Sequence, residues 1–255
     1  MRLLFIAPNV PLHDRNSGDF RLYSLLKILS QTNTITFLAQ RRVCPGPSED
    51  DRYASQLSEL GIDVHVQDYS IVNILRTQRF QAAVLEFYFL AEHYLPRIRL
   101  LQPSCPVIID TVDVHYARLL SKYQTTEDEQ DLRDSEETLR REMDIYSKAD
   151  KVIAITEDDA HQLLRACPQL DVAIIPNIHS PVSLSGIQNK NRLIFVGGFG
   201  HDPNTDAVLY FCKDILPLIR SKMPDVKLTI AGSDPSQRIR DLGNEHITVI
   251  ITIVK

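Results

Sequence analysis

The chain has 255 residues and a formal net charge of −5, with 44% hydrophobic and 24% charged residues. This length permits one or two globular domains, and the acidic balance argues against a nucleic-acid partner, which would require a basic patch. No apolar run approaches the roughly 18 residues of a membrane-spanning helix, so we expect no transmembrane segment. The four cysteines form no CxxC pair, which predicts neither a metal site nor a disulfide framework and fits a cytoplasmic protein.

Short β-rich runs alternate with amphipathic stretches, and this alternation predicts βαβ units on a parallel sheet. The predicted strands are Leu3–Ala7, Thr34–Ala39, Asp63–Val66, Ala82–Glu86, Val107–Asp110, Lys151–Thr156 and Ala173–Ile175. The predicted helices are Asp19–Ser30, Glu49–Leu60, Leu90–Leu101, Thr126–Ala149 and Glu157–Cys167. Thr156 and Asp159 resemble a capping box at the last of these helices. We expect the charge-dense helix Thr126–Ala149 to present a solvated face.

A polar segment divides the chain into two parts. We expect a Rossmann-like N-terminal domain at 1–180, a linker at 181–190 and the first part of a second Rossmann-like domain at 191–255. The second part has predicted strands at Leu193–Val196, Val226–Ala231 and Ile247–Val254, and predicted helices at Asn204–Ser221 and Ser236–Leu242. The fold class is therefore α/β, and we expect the second domain to be incomplete at Lys255, with its last β-branched run left as an exposed edge.

In open α/β sheets, ligands bind beyond the carboxyl ends of the strands, so the loops there are candidate sites. The first candidate is Pro8–Gly18, which leads from the first strand into a helix. Ser17 and Gly18 lie at the start of that helix, where backbone N–H groups and the helix dipole attract anions such as phosphate. An ordinary helix cap with a nearby glycine explains the same residues.

The second candidate loop is TVDVHY at 111–116, directly after a predicted strand. Asp113 and His115 lie two residues apart, and a histidine at this edge could donate a hydrogen bond or a proton to a sugar or a phosphate. The alternative is a His–Asp pair that only holds the loop in place.

The third candidate is RLIFVGGFGHDPNTDA at 192–207, which is typical of a strand, a glycine turn and a helix. Gly198 and Gly200 begin the GxGxxG dinucleotide fingerprint, but Pro203 stands at the third glycine position, so the fingerprint fails. The glycines still expose backbone N–H groups before a helix, which suits a diphosphate. A tight turn between a strand and a helix accounts for them equally well.

Several segments together resemble GT-B glycosyltransferases of the family 4 type. PNIH (176–179), residues 192–211, ILPLIR (215–220) and PDVKLTIAGSDP (224–235) resemble the hinge and the start of the second domain. IDTVDVHYARL (109–119) and SKADKVIAIT (147–156) resemble the first domain. The resemblance implies that the first domain binds the acceptor and the second mainly the nucleotide-sugar donor. It also implies transfer with retention of anomeric configuration, without a metal.

No cofactor is implied, because the nucleotide-sugar is a substrate. The implied acceptor is a polysaccharide, a lipid-linked glycan or a small molecule, reached in the cytoplasm or by peripheral contact with the inner face of the membrane. Gly18 and Ser17 would approach the donor phosphates, and His115, beside Asp113, would contact the transferred sugar. The donor diphosphate would lie over the second-domain turn, at Gly197, Gly198, His201 and Asn204.

Two departures from the family pattern stand out. Many relatives carry an Arg and a Lys soon after the second-domain glycine turn, where this chain offers only His201. The family's later donor-binding segment would lie beyond Lys255. The leading hypothesis is therefore a hexosyltransferase-like glycosyltransferase with a truncated second domain. The alternatives are a catalytically inactive remnant that acts as a binding module and an unrelated Rossmann oxidoreductase or epimerase, which the failed GxGxxG disfavours.

Overall fold

The computed structural model describes residues 1–41, 47–67, 71–178, 191–200 and 202–251, with the backbone alone for 47–50. The chain divides into two compact units, Met1–His179 and Ser180–Lys255. The predicted linker, 181–190, lies outside the described residues. Within the described ranges, no helix is both long and apolar enough to cross a bilayer.

The sheet of the first unit has seven parallel strands. They are β1 (Arg2–Ala7), β2 (Thr34–Ala39), β3 (Asp63–Val66), β4 (Ala82–Glu86), β5 (Val107–Asp110), β6 (Lys151–Ala154) and β7 (Val172–Ile174). Their order is β3-β2-β1-β4-β5-β6-β7, so the chain winds outward in one direction from β1 and then in the other from β4. The carboxyl ends of β1 and β4 therefore form the topological switch point of a doubly wound sheet.

Seven helices from the described residues cover this sheet. They are α1 (Ser17–Ser30), α2 (Pro47–Glu59), α3 (Ile71–Thr77), α4 (Tyr88–Leu101), α5 (His115–Thr126), α6 (Glu129–Tyr146) and α7 (Glu157–Ala166). Leu4 and Ile6 of β1 belong to one buried apolar cluster, whereas Leu3, Phe5 and Ala7 belong to another. Successive side chains of a strand point to opposite faces, so both faces of the sheet are packed.

The predicted strands of the first unit are all present, with ends that differ by at most two residues from the prediction. The capping box at α7 is also confirmed, since the Thr156 side chain accepts from the Asp159 N–H and the Asp159 side chain from the Thr156 N–H. Two helices were not predicted: α3, which is short, and α5, which begins at His115 inside a segment expected to be a loop.

The charged helix predicted at 126–149 does present a solvated face, but its opposite side is buried. α5 packs along α6. The buried side of α6 carries polar as well as apolar residues, namely Asp131, Ser135, Thr138, Glu142, Ile145 and Tyr146. Asp131, Ser135 and Glu142 tolerate burial because groups on α5 bind them; for example, the Lys122 ammonium lies 2.7 Å from an Asp131 oxygen.

The second unit has a three-stranded parallel sheet in the order β10-β9-β8, formed by β8 (Arg192–Val196), β9 (Lys227–Gly232) and β10 (Ile247–Ile251). Its helices are α8 (Asp202–Tyr210), α9 (Leu216–Lys222) and α10 (Gln237–Arg240). Leu193 and Phe195 pack on the core of this unit, whereas Ile194 and Val196 are 70% and 72% exposed. The described residues therefore cover only one face of β8.

The single helix predicted at Asn204–Ser221 is interrupted by a π-helical segment, Phe211–Ile215. Its ring closes where the Leu216 N–H donates to the Phe211 carbonyl oxygen. Pro217 follows directly and has no N–H, so a regular helix could not complete its hydrogen bond at that position. The wider π turn adapts the backbone just before this proline.

Gly232 lies at the end of β9, where the backbone of the turn after β8 crosses closely. A Cβ atom on Gly232 would stand 1.8 Å from the Gly197 carbonyl oxygen and 2.9 Å from Cε2 of Phe199. By contrast, a Cβ atom on Gly200 would meet nothing within 4 Å. Glycine is therefore required at 232 because backbone, rather than a movable side chain, occupies the space.

We expect Gly232→Ala to disrupt the second unit, at a cost above about 3 kcal/mol, because the overlap forces β8 and β9 apart. Gly200→Ala is the matched control and should change stability by less than about 1 kcal/mol. Hydrogen exchange of peptides that contain β8 and β9 measures both effects without interference from the first unit. Equal protection in the two variants would contradict the close crossing.

Candidate functional site

One concave site of the first unit lies at the switch point of its sheet. It has a volume of about 280 Å³ and is lined by Pro8, Asn9, Asn16, Gly18, Asp19, Glu86, Phe87 and Val112. These residues come from the ends of β1, β4 and β5 and from the start of α1. Ligands of open α/β sheets bind at this position, so the cleft is our candidate site.

The start of α1 supplies backbone donors to the cleft. Asn16 caps the helix, its side-chain oxygen accepting from the Asp19 N–H at 2.8 Å. Within the described part of the chain, the N–H groups of Ser17 and Gly18 have no acceptor. The Asp19 carboxylate is held by the Leu12 N–H at 3.0 Å and the Asn16 amide at 2.8 Å. Two donors therefore remain free for a ligand.

A buried ion pair lies behind the cleft. Arg21 of α1 is 1% exposed, and its Nη1 lies 2.7 Å from Oδ2 of Asp110 at the end of β5. Its Nε and Nη2 both donate to the Ile175 carbonyl oxygen, at 3.2 and 2.9 Å. Burial raises the pKa of the Asp110 carboxyl, although the neighbouring guanidinium lowers it in part. The guanidinium thus joins α1, β5 and the segment after β7.

Glu86, the last residue of β4, places a second buried carboxyl at the cleft. It is 7% exposed, and none of the described residues donates a hydrogen bond to its side chain. Burial raises the pKa of the Glu86 carboxyl well above its ordinary value, and the Asp110 and Asp19 carboxylates raise it further, against the effect of Arg21. The Glu86 carboxyl is thus biased towards its protonated form.

Two residues of the cleft wall have strained backbones. Phe87 has φ 63° and Val112 has φ 55°, a region that β-branched and bulky residues rarely occupy. Hydrogen bonds hold both segments: the Phe87 N–H donates to the Asp110 carbonyl oxygen, and Thr111 donates to that of Ile153 through its N–H and its hydroxyl. Strain that the surroundings enforce is common at binding sites, which supports this cleft as the functional one.

His115 lies next to the cleft, with its ring edge-on to Phe87 at 5.4 Å between centroids. Its side chain is 17% exposed. Its Nδ1 lies 3.1 Å from the Asp113 carbonyl oxygen, which can only accept, so Nδ1 carries the hydrogen in this contact. A neutral ring then keeps Nε2 as a hydrogen-bond acceptor. The Asp113 carboxylate does not pair with this ring; it lies 2.6 Å from Nε of Arg118.

Glu142 of α6, which the sequence analysis did not identify, holds the backbone at His115. It is 0% exposed, and its two carboxylate oxygens accept from the N–H groups of His115 and Tyr116, both at 3.1 Å. The Tyr146 hydroxyl donates to the same carboxylate at 3.1 Å. Glu142 therefore caps the start of α5 from another helix and fixes the backbone that carries the His115 ring.

Hydrogen bonds hold the glycine turn of the second unit, among them one from a side chain of α8 and one between backbone groups. The Asn204 amide donates to the Gly198 carbonyl oxygen at 2.8 Å, and the Gly197 N–H donates to that of Ala231 at 3.0 Å. A Cβ atom on Gly197 would approach the Asn204 amide to 3.0 Å, so the turn and α8 are in close contact. His201, the one candidate cation of this turn, lies outside the described residues.

The structure places the predicted residues in two groups. Ser17 and Gly18 lie at the start of α1 by the switch-point cleft, which Gly18 lines, and His115 packs against its Phe87 wall. Gly197, Gly198 and Asn204 form the turn of the second unit. Among the described residues, no group of three or more His, Cys, Asp or Glu side chains is arranged to hold a metal ion.

Sequence reasoning missed Glu86, Arg21 and Glu142. A charge at the carboxyl end of the apolar run AAVLE was the available signal for Glu86. Arg21 and Glu142 lie on helices that carry other charged residues, and no local pattern separates them from those residues.

No protein-family model matches the chain, and no curated protein matches it in sequence. Several solved structures, however, are similar to it in fold. Sucrose-phosphate synthase from Thermosynechococcus elongatus has a TM-score of 0.64 at 16% identity, covering 99% of this chain and 71% of that chain. The lipopolysaccharide outer core galactosyltransferase WaaB has a TM-score of 0.58 at 12% identity, covering 98% and 67%.

A third similar structure, from Listeria monocytogenes, is assigned as a UDP-N-acetylglucosamine 2-epimerase. Its TM-score is 0.52 at 12% identity, covering 99% of this chain and 69% of that chain. Identities this low show the fold alone. The fold is α/β with Rossmann-like parallel sheets, matching the GT-B architecture of these neighbours, as the sequence predicted.

We expect Arg21→Ala to lower the free energy of unfolding by about 3–5 kcal/mol, because it leaves the buried Asp110 carboxylate and the Ile175 carbonyl oxygen without their donor. Arg52→Ala is the control. Arg52 lies 3.3 Å from Asp14, but both side chains are exposed, so its loss should cost at most about 1 kcal/mol. Urea unfolding measures both variants, and similar midpoints would contradict the central role of Arg21.

The raised pKa of Glu86 predicts a pH-dependent effect of Glu86→Gln on stability. In the unfolded chain this carboxyl ionises near 4.5, whereas the folded state resists ionisation, so wild-type stability falls as pH rises from 4.5 to the folded pKa. The amide lacks this penalty. The variant should therefore gain on the wild type with increasing pH, by about 1.4 kcal/mol for each unit of pKa difference.

Thermal unfolding of the two proteins at pH 4, 6 and 8 measures this gain. Glu137→Gln, on the exposed side of α6, controls for the loss of an ordinary solvated carboxylate. A constant difference between E86Q and the wild type across this range would contradict a raised pKa.

Proposed function

We propose that the chain is a glycosyltransferase of the family 4 type, which transfers a sugar from a nucleotide-sugar to a hydroxyl-bearing glycan, lipid-linked or small-molecule acceptor. The main support is the juxtaposition, in a fold shared with glycosyltransferases, of the switch-point cleft and His115. Its sequence resemblance to family 4 enzymes adds to this. We further propose retention of anomeric configuration and no requirement for a metal.

The chemical task of such an enzyme is to stabilise a departing nucleoside diphosphate. Backbone N–H groups at helix starts can do this, because their partial positive charges are fixed in place before the reaction. We assign this role mainly to the glycine turn at Gly197 and Gly198 and to the start of α8.

His115 is assigned to the transferred sugar. With Nδ1 committed to the Asp113 carbonyl oxygen, Nε2 is the ring nitrogen left to bind a sugar hydroxyl. Glu142 holds the backbone of His115 from behind, so the ring can keep its position without an ordering cost when the sugar binds. Asp113 contributes through its carbonyl group and orients the histidine.

Nucleotide-sugar epimerisation is the second candidate, because an assigned UDP-N-acetylglucosamine 2-epimerase shares the fold. The two functions make different demands. A transferase consumes an acceptor and releases a nucleoside diphosphate, whereas an epimerase converts the donor alone.

The test combines binding and turnover on the full chain. We expect one of UDP-, GDP- or ADP-glucose to bind more tightly than millimolar in calorimetry, and mass spectrometry to show its sugar on a glycan or lipid acceptor. His115→Ala should lower transfer by about 10²-fold or more, while Glu137→Gln leaves it unchanged. An acceptor-independent change of the sugar would favour the epimerase. Absence of donor binding by a folded sample would refute both functions.

A further inference from the structure

Glu86 is the residue of the switch-point cleft to which the proposed function assigns no task. Its side chain lines the cleft yet is 7% exposed, and no donor from the described residues satisfies it. A carboxyl at a cleft that no protein donor satisfies takes its hydrogen bonds from whatever occupies the cleft. Its place among the cleft residues indicates that a ligand supplies the missing hydrogen bond.

The charge around the cleft argues against an anionic ligand group. The described residues that line it include the carboxyls of Asp19 and Glu86 but no lysine or arginine. Arg21 lies nearby, but its hydrogen bonds go to Asp110 and to the Ile175 carbonyl oxygen. A phosphate group in this cleft would therefore meet carboxyls without a free cation to neutralise it.

The remaining lining groups suit a neutral, hydroxylated ring. The Asn9 amide nitrogen donates to the Val10 carbonyl oxygen at 3.1 Å, which leaves the Asn9 amide oxygen as an acceptor. The N–H group of Gly18 is a donor, and Pro8, Phe87 and Val112 form an apolar wall. A sugar or polyol matches this set because it carries hydroxyls on its edge and C–H groups on its faces.

We propose that Glu86 binds an uncharged hydroxyl of the acceptor and thereby selects neutral sugars or polyols over phosphorylated or amino acceptors. This inference rests on the proposed function, which places the acceptor on the first unit. A protonated carboxyl offers one donor and one acceptor, as a hydroxyl does, and the raised pKa of Glu86 favours that form. A site built to bind a hydroxyl discriminates strongly, since its buried polar groups otherwise stay unpaired.

The test is a titration of the full-length ¹⁵N-labelled chain, followed by NMR at the amides of Gly18 and Phe87. The probes are methyl α-glucoside, glucose 1-phosphate and glucosamine, which are neutral, anionic and cationic at pH 7. The variants are Glu86→Gln, which keeps a donor and an acceptor without charge, and Glu86→Leu, which keeps the volume alone. Glu137→Gln is the matched control on the surface of α6.

We expect methyl α-glucoside to bind more tightly than the two charged probes. E86Q should keep its affinity within about 3-fold, and E86L should lose about 10-fold or more, which corresponds to about 1.4 kcal/mol. Unchanged affinity in E86L, or no shift of the cleft amides by methyl α-glucoside in large excess, would overturn the proposal. A loss of methyl α-glucoside affinity in E86Q, together with preferred binding of glucosamine by the wild type, would also overturn the proposal, because Glu86 would then act as a carboxylate that binds an amine.

The experiments distinguish a failure of the Glu86 proposal from a failure of the proposed function. Neutral-sugar binding that depends on Glu86, in a chain that neither binds nor converts a nucleotide-sugar, would support the subsite and refute the transferase. Transfer to an acceptor that is insensitive to E86L would support the transferase and refute the role of Glu86.

Discussion

The structure of the first unit depends on one buried interaction, the contact of Arg21 with Asp110 and the Ile175 carbonyl oxygen. A guanidinium that is 1% exposed is stable only when its planar donors meet fixed acceptors. Here the acceptors come from β5 and from the segment after β7, while the donor comes from α1. The interaction therefore sets where the start of α1 stands, and with it the free N–H groups of Ser17 and Gly18.

The same interaction explains the electrostatics of the cleft. One guanidinium stands among the carboxyls of Asp110, Glu86 and Asp19, and its closest contact is with Asp110, at 2.7 Å. Burial and the neighbouring carboxylates raise the pKa of Glu86, and Arg21, whose hydrogen bonds go to Asp110 and Ile175, offsets this only in part. The cleft is thus polar without being cationic, which separates it chemically from a site for phosphate.

The elements of the fold could be predicted largely from the sequence, whereas the chemistry of the site could be predicted only in part. β1 and β4 are apolar runs between polar segments, and such runs predict buried strands wherever they stand in the chain. Glu86 and Gly18 share a cleft because β1 and β4 are neighbours, and strand order is a property of the sheet that local pattern does not contain. Glu142 caps α5 from another helix, and capping of this kind has no spacing to recognise.

The long sequence separation between Arg21 and its partners also affects the order in which the first unit folds. Its partners are 89 and 154 residues away in sequence, so the contacts that define the cleft close some of the longest loops of the first unit. Contacts of this separation form late, since their loop-closure entropy is high. During synthesis, the Arg21 guanidinium has its complete set of acceptors only when the chain beyond β7 has left the ribosome. We therefore expect the part of the first unit that Arg21 holds together to form after β1 and β2 have paired.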